Sequence, residues 1–380
     1  MLNERYDIGD MVGEGSFGSV FVASSKETGE KRALKLLKDT YTFQEIINLR
    51  EFQSIQIAGY HPFIVELFEV HRVKYSSATV FVFEFMPDGS LHSLLYHRFT
   101  NKLGPPEHAF IRRTTHQVLQ ALEHLHSRGW MHRDVKPDNL LLKGDTCKLA
   151  DFSLARPCSH LHQEVGGGGP MTQSVATLWY RSPEIVLLAP DYSSPADLFG
   201  LGCVAAEMFR LKPLFPSRND ADMLWRLLKM LGNPIASGWK QGQALLEKRA
   251  PYLEIDSKDF SDEDFRSNLT EWLSSGAVKR DPEPLLDLLI GMMNMNPSSR
   301  LTASQALQNP YFHQNPSHKA WKSPSAVPTG HHELEIASSV VTTSPHVEDT
   351  SGHTSPLDCD HSFKNSSRQY PQKLVLKRCK

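Results

Sequence analysis

The chain has 380 residues, 40% of them apolar and 22% charged, which is enough for one large domain or two ordinary ones with a core well above marginal size. Lys plus Arg number 41 against 43 Asp plus Glu, a formal net charge of −2, so a general polyanion binder is disfavoured for want of a basic surplus. No run of about 18 apolar residues occurs, Met1-Leu2-Asn3-Glu4-Arg5 lacks a secretory layout, and the 5 cysteines form no CxxC pair, so a reduced, intracellular chain without membrane span or structural zinc is expected.

In chain order, strands are predicted at Tyr6–Val12 and Phe17–Ala23, flanking a glycine-rich turn, and at Arg32–Leu37 after the turn Lys26-Glu27-Thr28-Gly29. Phe43–Gln56 has helical spacing, with Ile46, Leu49 and Phe52 on one face. Val80–Phe85 is an apolar strand broken only by Glu84, and Pro87-Asp88-Gly89-Ser90 is a turn. Beyond it the period becomes helical. Ile111, Val118, Leu122 and Leu125 define a helix ended by Gly129, and Asp197–Phe209, Asp222–Leu231 and Pro284–Met293 are also helix-like. From Gln314 to Lys380 the chain turns rich in Ser, Thr, His and Pro, so these 67 residues are expected to be a mostly disordered tail. The class is α+β, a small β-rich lobe followed by a larger α-helical one.

Three motifs carry chemistry. Gly13-Glu14-Gly15-Ser16-Phe17-Gly18-Ser19-Val20 is a GxGxxGxV turn whose glycines let backbone amides approach a polyphosphate. GxGxxG also opens dinucleotide-binding folds, but there a helix follows, whereas here a strand does; a plain hairpin remains the alternative for the motif alone. Arg32-Ala33-Leu34-Lys35 then puts a lysine inside an apolar strand, where an unpaired ammonium is costly, and Glu51 is the best candidate partner. A lysine snorkelling at a strand edge is the bland alternative. The third, His132-Arg133-Asp134-Val135-Lys136-Pro137-Asp138-Asn139, fixes six positions that chance would supply with probability on the order of 10⁻⁵, and Asp151-Phe152-Ser153 follows twelve residues after Asn139.

With these motifs in this order the chain resembles the eukaryotic protein kinases, from about Tyr6 to Phe312. The resemblance implies a two-lobed fold, with an N-lobe over 1–86, a C-lobe over 87–313 and the tail over 314–380. It implies ATP and Mg²⁺ as cofactors. Asp134 would orient the substrate hydroxyl, Lys136 would neutralise the transferring phosphoryl group, and Lys35 paired with Glu51 would hold the α- and β-phosphates. Asn139 and Asp151 would supply oxygens to Mg²⁺. Residues 13–19 (Gly13, Glu14, Gly15, Ser16, Phe17, Gly18 and Ser19) would cover the phosphates. Val12, Val20, Ala33 and Leu141 would sandwich adenine, with Phe83 behind it, the backbone of Glu84 and Met86 at its edge, and Asp88 at the ribose. Ser153 stands where the family has glycine, and a serine there is expected to make positive φ costlier and to alter switching.

Trp179-Tyr180-Arg181-Ser182-Pro183-Glu184, a long stretch at about 215–281 and Asp197-Leu198-Phe199-Gly200-Leu201-Gly202 resemble the CMGC group of cyclin-dependent, MAP and related kinases. That implies a buried Glu184–Arg300 ion pair. Asn48-Leu49-Arg50-Glu51 and Gly59-Tyr60-His61-Pro62 resemble the male-germ-cell-associated and MAPK-overlapping kinases, whereas Thr177-Leu178-Trp179-Tyr180-Arg181 is closer to cyclin-dependent kinases. The group implies that Arg50, Arg133 and Arg156 converge on phosphorylated Thr172; the alternative is three arginines solvated separately. The expected activity is ATP- and Mg²⁺-dependent phosphorylation of protein Ser/Thr-Pro sites, with a pseudokinase scaffold as the rival. The expected partners are protein substrates and a cyclin-like activator on Phe43–Gln56 or an upstream kinase, with no nucleic acid and no membrane, in cytoplasm and/or nucleus.

Overall fold

A computed structural model of the chain describes residues 2–15, 18–73, 78–158, 178–250, 262–276 and 281–313. The expected disordered tail, Ser16, Phe17, Thr172 and the Gly166–Gly169 run lie outside the described residues.

Five strands, β1 (Tyr6–Glu14), β2 (Gly18–Ser25), β3 (Lys31–Thr40), β4 (Leu67–Arg72) and β5 (Ala78–Glu84), form one antiparallel sheet in the order β1-β2-β3-β5-β4. Successive side chains point to opposite faces. Leu34 on β3 joins Ala23, Val80 and Val82 in a small outer cluster, whereas its neighbours Ala33 and Lys35 line a cleft on the other face. The register fixes the cleft wall: Ala33 pairs with Val22 and Phe83, and Lys35 with Val20 and Phe81. At Gly18 a Cβ would meet the Leu36 carbonyl oxygen at 2.2 Å, so only glycine lets β2 start this close to β3.

The single helix expected at Phe43–Gln56 is two: α2 (Phe43–Asn48) and α3 (Arg50–Ala58), with α1 being the short turn Leu2–Arg5. Leu49 between them is extended, at φ −63° and ψ 131°. The Asn48 amide donates to the Gln44 carbonyl at 2.9 Å, and the Leu49 N–H bonds Ile46 rather than a residue four back. An asparagine competing for backbone acceptors is a physical reason for the break. Its consequence is that Glu51 starts a helix instead of sitting in the middle of one.

Beyond the turn at Pro87–Ser90 the chain is mainly helical. In α4 (Leu91–Thr100) and α5 (His108–His126), the periodic residues Ile111, Val118, Leu122 and Leu125 are fully buried. Gly129, at φ 73°, turns the chain after α5. The short pairs β6–β9 (Trp130–Met131 with Arg156–Pro157) and β7–β8 (Leu140–Lys143 with Thr146–Leu149) frame the loop of the third motif. The helix Pro195–Arg210 runs through the centre of this part, buried over nearly its whole length. Its departures from the group pattern have packing reasons. A Cβ at Gly200 would sit 2.8 Å from the Val135 carbonyl, and Phe199 stacks on Phe215 with centroids 6.0 Å apart. Helices Asp220–Leu231, Glu283–Met292 and Ala303–Leu307 complete the core, and Lys240–Arg249 and Asp262–Ser274 lie within the stretch expected as an insert.

The Glu184–Arg300 pair ties the segment after residue 177 to this core. Two bonds of 2.6 and 2.7 Å join guanidinium and carboxylate, with side chains 0% and 2% exposed. The remaining guanidinium protons reach the Asn294, Pro195 and Met295 carbonyls, so the buried cation is satisfied. Arg300→Met is expected to lower the unfolding free energy by about 3–5 kcal/mol in urea titration, because it leaves Glu184 buried and uncompensated.

Candidate active site

The loop of the third motif is fixed from below by one carboxylate. Asp197 is 1% exposed, and its oxygens accept the His132 N–H at 2.8 Å, the Arg133 N–H at 2.7 Å and the His126 ring N–H at 2.8 Å. Burial would raise its pKa, but these donors, the His126 ring first among them, hold it below the usual carboxylate range. Arg133 adopts φ 71°, a left-handed conformation that a non-glycine residue keeps only when its surroundings enforce it. His132, fully buried, donates from Nε2 to the Ala150 carbonyl at 3.0 Å, which leaves Nδ1 to accept the Asp134 N–H at 3.3 Å. Its ring also meets Phe152 edge-on at 4.9 Å. One imidazole thus couples the loop of Asp134 to the segment of Asp151.

Above this platform, Asp134 accepts from the Lys136 ammonium at 2.7 Å and the Asn139 amide at 2.9 Å. The Asn139 amide nitrogen also bonds the Asp134 carbonyl at 2.8 Å, so its oxygen is the atom left for a cation. Across the cleft, Lys35 donates to both Glu51 oxygens at 2.7 and 2.9 Å and to Asp151 at 3.0 Å. Burial opposes the lysine's charge, but the two carboxylates outweigh it and raise its pKa. Burial likewise opposes ionised Asp151; Lys35 and a hydrogen bond from the Ser153 hydroxyl bring its carboxyl below the ordinary value.

Between these groups the cleft is lined by Gly15, Gly18, Val20 and Ala33, and by Phe83 and Leu141, which only the kinase resemblance anticipated. Val65, Ala150 and Phe152 line it too, and no local motif marked the first two. Other anticipated residues sit elsewhere. Val12 is 57% exposed on β1, and Met86, anticipated for its backbone, has a buried side chain and is not among the residues lining the cleft. Glu84, by contrast, does line the cleft, although its N–H is spent on the Glu66 carbonyl at 2.9 Å. Asp88, expected at the ribose, instead accepts the Gly144 amide at 2.6 Å in the β7–β8 turn. The cost expected of Ser153 does not arise in this conformation: residues Phe152–Leu154 form a 3₁₀ turn, and the positive φ falls on Asp151 at 59°.

The three arginines are near one another. Arg156 lies 4.2 Å and Arg133 5.3 Å from the Tyr192 ring, and Arg156, its pKa lowered first by burial, feels the charges of Arg133 and Arg50. The buried Arg156 Nε has no hydrogen-bond partner among the described residues. Close by, Arg181 reaches Asp220 at 3.8 Å, with its Nε and one terminal nitrogen unpartnered among the described residues. Tyr180 donates to Glu207 at 2.7 Å. Burial, aided by Asp138, pushes Glu207 up to about 7 against the lowering by Tyr180. Glu207 and the anchor role of Asp197 were not readable from spacing, although both lie in the helix whose start carries the Asp197–Gly202 motif. Among the described residues no helix is long and apolar enough to cross a membrane, and no cluster of three or more His, Cys, Asp or Glu could hold a metal.

Comparison with known proteins agrees with this geometry. Residues 6–312 match the protein kinase domain. The chain is 36% identical over 310 residues to serine/threonine-protein kinase ICK of Mus musculus, and 35% over 314 residues to serine/threonine-protein kinase MAK of Homo sapiens. In each case the match covers 81% of this chain and 45% of the relative. Cyclin-dependent kinase F-4 of Oryza sativa subsp. japonica is 34% identical over 310 residues, covering 81% of this chain and 61% of the relative. The chain belongs to the protein kinase family, and these relatives fall in the CMGC group that its motifs resemble. It spans about half the length of the animal relatives it matches.

Two outcomes follow from the site. Glu207 binds its proton more tightly in the folded state, about 7 against 4.5 unfolded, so stability falls as pH rises through that window. The loss is on the order of 3 kcal/mol, and Glu207→Gln should flatten the slope in chemical denaturation at pH 5 to 8. Ser153→Gly removes the hydroxyl from Asp151 and is expected to raise the Mg²⁺ concentration needed for half-maximal thermal stabilisation by nucleotide about two- to tenfold.

Proposed function

We propose that the chain is a serine/threonine protein kinase that transfers the γ-phosphate of ATP to protein hydroxyls next to proline. The observation that carries this is Lys35, held between Glu51 and Asp151 across the cleft from the Asp134, Lys136 and Asn139 cluster. A cation flanked by carboxylates needs no phosphate to be stable; what distinguishes this one is that it lines a cleft whose mouth is a glycine turn. There the ammonium can take phosphate oxygens while Glu51 keeps it in place.

The donor set suits the cofactors that the family uses. The Asn139 carbonyl oxygen and the Asp151 carboxylate are hard oxygen ligands, the type Mg²⁺ prefers, and phosphate oxygens would complete its shell. When bound, the ion would neutralise charge on the transferred group. The rest falls to side chains. Asp134, accepting from Asn139 and Lys136, is held to orient the incoming hydroxyl and accept its proton. Lys136, 2.7 Å away, places positive charge beside the site of transfer. Val20, Ala33 and Leu141 offer an apolar slot for adenine.

Specificity and control rest on the same reading. The unpartnered nitrogens of Arg181, beside the Tyr180–Glu207 pair, support a preference at the residue after the phosphoacceptor. Arg50, Arg133 and Arg156 would receive a phosphate on Thr172, adding about two charges and three acceptors. A cyclin-like activator would have to engage a helix pair bent at Leu49 rather than one straight helix. A pseudokinase is not favoured by any observation, because Ser153, Phe199 and Gly200 each have a local structural role.

The test is radiolabelled γ-phosphate transfer by the full chain to a Ser-Pro peptide and its Ser-Ala twin. Transfer to Ser-Pro should exceed Ser-Ala at least about tenfold, and Asp134→Asn should reduce it about 10²–10⁴-fold. Equal transfer to both peptides would refute the proline preference. No transfer above Asp134→Asn after Thr172 is phosphorylated would refute the enzyme.

A further inference from the structure

Away from the cleft, a groove of about 590 Å³ opens between the loop after helix Pro195–Arg210, the helix Asp220–Leu231 and the helix Asp262–Ser274. Two tryptophans wall it: Trp225, 49% exposed, and Trp272, whose ring lies 4.5 Å from the Arg210 guanidinium. Met230, Leu214 and Phe215 add apolar surface. Lys212, Arg226 and Lys229 line it against one carboxylate, Glu271. Asp222 neutralises Arg226 at 2.9 Å, and Lys229 lies 5.1 Å from the Trp225 ring. Among the described residues neither Lys212 nor Lys229 has an ion-pair partner, and nothing covers Trp225. Exposed indole beside uncompensated ammonium groups fits a segment that alternates carboxylates with apolar side chains.

We propose that this groove receives the chain's own segment Glu333-Leu334-Glu335-Ile336. Charge and reach select it. Its two carboxylates and two branched apolar residues match the apolar wall and the two lysines that have no ion-pair partner among the described residues. The basic end Lys373–Lys380 would be repelled, and Leu357-Asp358-Cys359-Asp360 repeats the alternation with one branched residue, 24 positions farther on. As to reach, the helix Glu283–Met292 packs both on Asp262–Ser274, a wall of the groove, and on the turn Pro310–Phe312 that precedes His313. Ten residues of helix are about 15 Å long and about 10 Å thick, so the two places lie within some 25 Å. The 19 residues 314–332 match that span, with an average reach of about 24 Å and a maximum near 65 Å. A tether matched to its span gives an effective concentration of about millimolar, so weak contacts suffice.

Carbodiimide crosslinking of the full chain at low salt, read by mass spectrometry of tryptic peptides, tests this. Lys212 or Lys229 should link to Glu333 or Glu335 within the monomer. The yield should fall about tenfold in Leu334→Ser/Ile336→Ser, which keeps the carboxylates, and in Trp225→Ala, whose exposed ring can be removed without unfolding the lobe. An unchanged yield in the Leu334→Ser/Ile336→Ser chain overturns the proposal. So do links to Glu254, Asp256, Asp358 or Asp360 in their place, links only between copies, or no link from either lysine.

Discussion

Everything at the cleft depends on a buried lysine shared by two carboxylates. Lys35, on strand β3, is 9% exposed and draws its partners from two other segments, the start of helix α3 through Glu51 and the turn after β8 through Asp151. Burying one cation costs more than a single surface ion pair returns, so the arrangement holds only with both carboxylates close. That requirement fixes how far α3 stands from the sheet and where the Asp151 segment lies. The metal-type oxygens and the glycine turn are set around the same ammonium.

A second carboxylate does comparable work from beneath. Asp197 receives two consecutive backbone N–H groups of the His132–Arg133 loop and a ring N–H from α5, so that loop is bound to a helix instead of to solvent. The strain at Arg133 is compensated there, and Gly200 lets the loop's backbone approach the helix. Asp134 therefore hangs from a rigid support. Contrast the arginine group around Tyr192, where Arg156 keeps a buried nitrogen without a partner among the described residues. The first site has its hydrogen bonds paired within the described residues, whereas the second leaves a buried donor unpaired among them.

The catalytic constellation was legible in the sequence because its chemistry needs particular residues at short spacings. Gly13–Val20, Lys35, the run from His132 to Asn139 and Asp151 are such cases; Glu51 followed once a buried charge had to be matched, and Arg300 only from the resemblance to the kinase group. Less legible was whatever depends on through-space packing. The break at Leu49 turns on an asparagine side chain competing for a carbonyl, and nothing in the spacing of Ile46, Leu49 and Phe52 shows it. Asp88 is placed at the ribose by the kinase resemblance alone, yet a β-turn amide captures its carboxylate. Ser153 was weighed by glycine's conformational freedom, whereas the positive φ falls two residues earlier and the hydroxyl finds Asp151. Short elements such as β4 and α4 carry too few residues for a period to show.

The central claim is that Lys35 serves transfer of phosphate and not merely stability. Its most direct test is the rate of γ-phosphate transfer from Mg·ATP by the full chain carrying Lys35→Met, alongside its folded fraction by circular dichroism. A rate lowered at least about 100-fold in a chain that remains folded is the predicted result. A folded Lys35→Met chain that transfers phosphate within threefold of the unaltered protein would contradict the account.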